Sequence, residues 1–310
     1  MHNIENSPLH QFAEQFPLQY LEGQRGCRLA YRHCVHQPVA DKLVILVNGR
    51  VENILKWTEI AQDFYAQGYD VLLFDHRGQG YSQRLLPDSE KGHLDEFRFY
   101  AQDMAKIIEN LTALYPYEQQ YLLAHSLGAL ISTYYLANFD HQIKRAVFSA
   151  PFFGMPLSHP IRDEIALNLM MLFGQGKRYV FGKGPYKPVD VQENLLSHDS
   201  MRMQRMNEIN LANPEIRLGG PTFRWAYLCL IAIKNLPKIL PRIETPVLVL
   251  EAEQEQIVNN KTLEKLTALF MCGSLKKIAR AKHEILFETD NIRSPVLQQI
   301  QAFFTSTHNA

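Results

Sequence analysis

The hydrophobic positions of this chain fall into short unbroken runs, separated by longer stretches in which apolar residues recur at helical spacing. Lys42-Leu43-Val44-Ile45-Leu46-Val47 is one such run, of strand length and closed by Asn48-Gly49. A run without polar alternation suits a strand covered on both faces, as in a parallel sheet. From Asn53 to Gln67 the period changes: Ile54, Trp57, Ile60, Ala61 and Phe64 predict a helix that Gly68 stops. The alternation then repeats. Val71 to Phe74 predicts a second buried strand, and Glu96 to Leu114 a long helix closed by Pro116. Tyr121 to Ala124 is a third strand, followed at once by a helix from Leu127 to Asn138, and Ala146 to Ser149 is a fourth. Pro246 to Leu250 is a fifth, with a helix near Lys261 to Leu269; Leu275 to Ile278 is a sixth, and Pro295 to Phe304 a closing helix. Ahead of them, Leu18 to Val35 is broken by Gly23 and Gly26 and reads as a short hairpin. Strand–helix alternation on this scale means an α/β architecture with a mostly parallel sheet.

The interval from Phe152 to Leu240 breaks the rhythm. It is rich in Met, Gly and Pro, carries no convincing strand, and its apolar pieces, Ile165 to Phe173 and Trp225 to Ile233, look helical. The expected organisation is therefore a core made of residues 1–151 and 241–310, with residues 152–240 inserted as a helical cap. Within the cap, Lys177, Arg178, Lys183 and Lys187 cluster with Tyr179, Phe181 and Tyr186. Such a cluster is either a solvated loop or a surface that attracts a phosphate or an anionic membrane.

Charge narrows the classes. Lys plus Arg and Asp plus Glu both count 32, which argues against a nucleic-acid protein, where a basic excess is expected. The cysteines Cys27, Cys34, Cys229 and Cys272 are scattered, without a CxxC pair or Cys/His ligand spacing, so a reduced compartment is expected and no metal. Met1 to Pro17 lacks a cationic flank followed by an apolar run and does not read as a secretory signal. The longest apolar stretch, Trp225 to Ile233, falls well short of a spanning helix. The expectation is a cytoplasmic protein without a transmembrane helix, still able to make peripheral contact with a membrane.

The strongest local signal for chemistry is Ala124-His125-Ser126-Leu127-Gly128, between a buried strand and a helix. A serine on that tight turn holds its hydroxyl clear of the sheet edge, and the following helix aims its N-terminus where negative charge forms. The bland alternative is a helix-capping serine. Phe74-Asp75-His76-Arg77-Gly78-Gln79-Gly80-Tyr81-Ser82 also follows a strand directly; its polar side chains and glycines read as scaffold for a sharp reversal.

With these motifs, with Ala150-Pro151-Phe152 and with Ala281-Lys282-His283-Glu284-Ile285-Leu286-Phe287-Glu288, the chain resembles the α/β-hydrolase superfamily over essentially its whole length. Within it, the likeness is to the lysophospholipase L2 and monoacylglycerol lipase group. That fold orders its triad as nucleophile, acid, histidine. The resemblance makes Ser126 the nucleophile and His283, after the last strand, the general base. Glu251, Glu253 and Glu255 all follow the fifth strand. Glu255-Gln256-Ile257-Val258 fits the family's context for the acid, with Glu253 second. The oxyanion hole is expected from the backbone N–H groups of Leu127 and Arg50, although Asn48-Gly49 stands where relatives have His-Gly.

The resemblance implies a serine-dependent carboxylic ester hydrolase that needs no cofactor and cleaves a 2-lysophospholipid, with Lys183 and Lys187 as candidates for contact with the head group. The rivals are a monoacylglycerol lipase or general carboxylesterase, and a non-catalytic binding protein that retains the fold. An epoxide or haloalkane hydrolase would need an aspartate where Ser126 stands. Protein partners are not legible in the sequence.

Overall fold

A computed structural model describes residues 8–306, so Met1 to Ser7 of the opening stretch lie outside the described residues. The elements run in chain order as α1 (Pro8–Glu14), β1 (Gln19–Glu22), β2 (Arg28–Cys34), β3 (Lys42–Val47), α2 (Ile54–Ala66), β4 (Asp70–Phe74), α3 (Arg98–Leu114), β5 (Gln119–His125), α4 (Leu127–Asn138) and β6 (Ile143–Ser149). They continue with α5 (Pro160–Leu172), α6 (Ser200–Ala212), α7 (Phe223–Ile239), β7 (Val247–Ala252), α8 (Leu263–Thr267), β8 (Gly273–Ile278) and α9 (Asp290–Thr305).

The strands form one eight-stranded sheet in the order β1-β2-β4-β3-β5-β6-β7-β8. The hairpin β1–β2 and its junction to β4 are antiparallel, and every pairing from β4 to β8 is parallel. The unbroken apolar runs follow from burial on both sides. Leu43, Ile45 and Val47 of β3 pack into one core with residues of α3, α4 and α7, while Val44 and Leu46 pack into a second with residues of α2 and α9. Successive strand residues point to opposite faces, so a strand sandwiched between helix layers must be apolar at every position. Phe12 and Phe16 near α1 close on Tyr65 of α2 with ring centroids 5.3 and 5.2 Å away, which ties the start of the described chain to the second core.

Residues between β6 and β7 contribute three helices, α5 to α7, and no strand to the sheet. Helix α6 has no counterpart in the apolar pattern. It buries only Met203, Met206, Ile209 and Asn210, a face too narrow and too polar to stand out in the sequence. It is held instead by charge: Arg202 donates to Glu59 of α2 at 2.7 Å, to Asp199 at 2.6 Å and to Asp290 at 2.8 Å. The closing helix also differs from expectation. It starts at Asp290, and Pro295 lies inside it rather than opening it. Ile292 and Arg293, ahead of the proline, are buried, and that packing holds the extra turn despite one lost backbone hydrogen bond. Helix α8 is shorter than the pattern suggested.

Candidate active site

Three chain segments meet at the C-terminal ends of the parallel strands, where open α/β sheets place their sites. The first is the turn from β5 into α4. Ser126 is held at φ 50° and ψ −114°, a left-handed backbone that side chains rarely adopt. It is locked from both sides: its N–H donates to Ser149 O at 3.0 Å, and its carbonyl accepts from Phe152 N at 3.0 Å. A side chain at Gly128 would collide with the carbonyl oxygens of Val47 and Asn48, so only glycine lets α4 pack this closely on the end of β3. The fully buried Ala124 fills the position where a glycine is common in this turn.

His283 lies in the loop after β8. Its Nε2 is 3.1 Å from Ser126 Oγ, and its Nδ1 is 2.7 Å from Glu255 Oε2. Glu255 Oε1 accepts the N–H groups of Ile257 at 2.7 Å and Val258 at 3.1 Å, which fixes the carboxylate's orientation. Burial opposes the charge of Glu255. The hydrogen bond and charge of His283, with the two amides, outweigh it and hold the carboxyl below its ordinary range. The other two glutamates point elsewhere: Glu253 accepts from Arg280 N at 2.8 Å, and Glu251 pairs with Lys277 at 3.9 Å.

The loop after β3 supplies the third segment. A Cβ placed on Gly49 would sit 3.3 Å from Ser126 Cβ, so this backbone passes directly beside the serine. The N–H of Gly49 is engaged by Glu52. Among the described residues, the N–H groups of Arg50 and Leu127 find no acceptor in the chain, and Leu127 opens α4, where the helix dipole adds positive potential. Lys183 and Lys187, by contrast, lie exposed in the loop after Val180, and no hydrogen bond joins them to Ser126, His283 or Glu255.

Two further residues complete the surroundings, and neither was singled out from the sequence. Glu52 also accepts Lys56 Nζ at 2.7 Å, and the same ammonium donates to Glu284 at 2.6 Å. All three side chains are buried. Burial pushes Glu52 up, but Lys56, His125 and the Gly49 amide outweigh it and hold it down to about 2. Burial and the charge of Glu52 push Glu284 the other way, up from its ordinary value, and one of its oxygens has no partner. The network connects the oxyanion-side loop to the residue next to His283. Its only sequence trace is the i, i+4 spacing of Glu52 and Lys56.

The loop from Asp75 to Ser82 acts as framework. Asp75 accepts from Ile54 N at 2.9 Å and Tyr81 N at 2.8 Å, and Arg77 grips Asp103 at 2.6 Å. Burial holds the imidazoles of His33, His76 and His125 down to about 4. Against an unfolded value of about 6.5, each contributes stability above that pH, which is lost as pH falls toward 4. Asp75, pushed up to about 7 by burial, works in the opposite sense over the same interval. The imidazoles dominate, since burial also holds His93 and His141 below their ordinary value. Acidification from pH 7 to pH 5 is therefore expected to lower the unfolding free energy. Urea denaturation at the two pH values reads this directly, and equal midpoints would contradict it.

Sheet order and a strained serine at the turn after a central strand define a hydrolase of the α/β-hydrolase fold. The family model described as serine aminopeptidase, S33, matches residues 38–290. The chain is 60% identical to the probable lysophospholipase L2 of Haemophilus influenzae, over 97% of this chain and 96% of that protein. It is 33% identical to lysophospholipase L2 of Escherichia coli K12, over 87% and 82%. Among solved structures, a soluble variant of monoglyceride lipase from Saccharomyces cerevisiae shares the fold, with a TM-score of 0.71 and 20% identity, covering 93% of this chain and 95% of that one. The chain belongs to the serine aminopeptidase S33 family of α/β-hydrolases, in the group of lysophospholipase L2 and the monoglyceride lipases.

Proposed function

We propose that the chain is a serine esterase that releases a fatty acid from 2-lysophospholipids. The observation that carries this is the position of His283, whose two ring nitrogens reach Ser126 Oγ and Glu255 Oε2 at once. Glu255 accepts a hydrogen bond from the Nδ1–H, so the Nε2 lone pair faces the hydroxyl. Ser126 Oγ attacks the ester carbonyl as its proton passes to Nε2, and the oxyanion is held by the N–H groups of Arg50 and Leu127. His283 returns the proton to the leaving glycerophosphodiester oxygen, and the acyl group stays on Ser126. Water then attacks the acyl-enzyme, again deprotonated by His283, and frees the fatty acid.

Residues 152–240 form the cap in this reading. Phe152 and Trp225, both buried and stacked with centroids 6.0 Å apart, form an apolar pair next to the serine turn, where the Phe152 N–H bonds Ser126 O. Burying the acyl chain is worth about 0.8 kcal/mol per methylene. The relatives' names favour a phosphate-bearing substrate, and exposed Lys183 and Lys187 supply positive potential near the cap. Assayed on one acyl chain, lysophosphatidylcholine should be preferred over monoacylglycerol, and Lys183→Ala with Lys187→Ala should narrow the gap. Preference for the monoacylglycerol would select the lipase reading instead, and no hydrolysis of either would sink the esterase.

Among the described residues, no helix is long and apolar enough to cross a membrane. The cap does carry an apolar stripe. Ile161, Ile165, Leu169, Leu172 and Phe173 are all exposed, with Ile161 at 80% and Leu172 at 77%. Their spacing sets them along one side of α5. In this reading the protein works in the cytoplasm and rests peripherally on the inner face of a membrane through that stripe. The wild type should sediment with phosphatidylethanolamine–phosphatidylglycerol vesicles, and Ile161→Asp with Leu172→Asp should reduce the bound fraction about tenfold or more. Undiminished binding would remove α5 as the contact.

A further inference from the structure

Arg50 does more in this structure than its backbone requires. Its guanidinium lies over the ring of Trp225, 5.2 Å from the centroid, and donates to Gly219 O. That single acceptor leaves most of its five N–H donors unused. Among the described residues, Nε is buried without a partner and Nη1 finds no hydrogen-bond acceptor. No carboxylate pairs with it among the described residues; the groups whose charge bears on it most are Tyr100, Cys229 and Tyr179, all neutral near pH 7. Burial pulls its own acidity the way an uncompensated cation must go, down to about 10. Buried charges are ordinarily paired, and an unpaired one needs a reason.

The position supplies the reason. Trp225, under the guanidinium, stacks on Phe152, whose N–H is bonded to Ser126 O. The guanidinium therefore sits one aromatic pair away from the serine, on the residue whose amide faces the oxyanion. The strap Gly219–Gly220, whose first carbonyl takes the Arg50 guanidinium, is backed by the Cβ of Lys183 at Gly220. We infer that the Arg50 side chain is the phosphate-recognising group of this esterase, with its free N–H groups taking a phosphodiester oxygen of the bound lysolipid. In a 1-acyl glycerophospholipid only the glycerol carbons separate the scissile ester from the phosphoester, and one residue that spans its own backbone and its own guanidinium covers that interval. A planar fork suits phosphate better than a point charge does. This proposal rests on the esterase reading above.

Two measurements separate the proposal from that reading. The first is the ratio of kcat/KM for 1-oleoyl-lysophosphatidylcholine to that for 1-oleoylglycerol, in wild type, Arg50→Gln and Arg50→Lys. The ratio should fall at least tenfold in Arg50→Gln and less in Arg50→Lys. A common loss on both substrates, with the ratio unchanged, would make Arg50 a clamp between core and cap and overturn the proposal. The second needs no turnover. In a Ser126→Ala background, sn-glycerol 3-phosphate should change tryptophan emission saturably, because Trp225 lies under the guanidinium. Glycerol should not, and Arg50→Gln should weaken the response at least tenfold. Equal responses with and without the Arg50 side chain would overturn the proposal even if the wild type proved inactive on every ester, the outcome that would instead sink the esterase reading.

Discussion

Ser126→Ala is expected to lower kcat on its best ester by at least about 10,000-fold, with the melting temperature close to wild type. In the proposed mechanism the hydroxyl is the atom that forms the covalent bond, and among the described residues no other nucleophile stands within hydrogen-bond reach of His283 Nε2. The fold does not depend on it: the turn is held by the backbone bonds to Ser149 and Phe152, which alanine retains. Glu255→Gln should cost nearly as much by a different route. Its amide can donate to Nδ1 and reverse the tautomer, so that Nε2 presents a proton to Ser126 instead of a lone pair. The check is a steady-state assay beside thermal melts of both variants. Activity within tenfold of wild type in Ser126→Ala would refute the covalent mechanism.

Lys56→Met is the second variant for which a large effect is expected, and here the loss is of structure as well as turnover. Among the described residues, Lys56 is the only cation in contact with the buried carboxylates of Glu52 and Glu284, at 2.7 and 2.6 Å. Removing one partner from a buried ionic network strands the others and costs roughly 3–5 kcal/mol. In a chain of this size that lowers Tm by on the order of 10 °C. Turnover should fall as well, because Glu52 anchors the Gly49 amide beside the oxyanion site and Glu284 adjoins His283. One of the two carboxyls must take up a proton in the variant, so part of the lost stability should return on mild acidification relative to wild type. An unchanged Tm at pH 7 would show that the network is not the support described.

Much of this site is visible in the one-dimensional chain, for a physical reason. Strands covered on both faces must be unbroken apolar runs, so β3 to β7 stand out, and the candidate functional groups lie beyond strand ends. Ser126 stands out by its place between a buried strand and a helix, while His283 and the glutamates after β7 are picked out by the triad order of the family that the chain resembles. What the order of residues does not carry is the direction of a side chain. Glu253 and Glu255 are two residues apart on an irregular loop, and only the folded backbone decides that one meets Arg280 and the other His283. The Lys56–Glu284 contact joins residues 228 positions apart, and nothing local in either segment marks it. Helix α6 was silent because arginine–carboxylate contacts hold it more than an apolar face does. The same limit applies to Arg50, whose proposed backbone role rests on the corresponding loop of the family while its guanidinium acquires meaning only from Trp225 and Gly219.

The relay itself is tested most directly by labelling with a fluorophosphonate and measuring intact mass, followed by peptide mapping. The account predicts one adduct per chain, on Ser126, formed fast in wild type, absent in Ser126→Ala and slowed by at least about a thousandfold in His283→Ala. An adduct on a different residue, or labelling of Ser126 at an unchanged rate without the His283 imidazole, would contradict it.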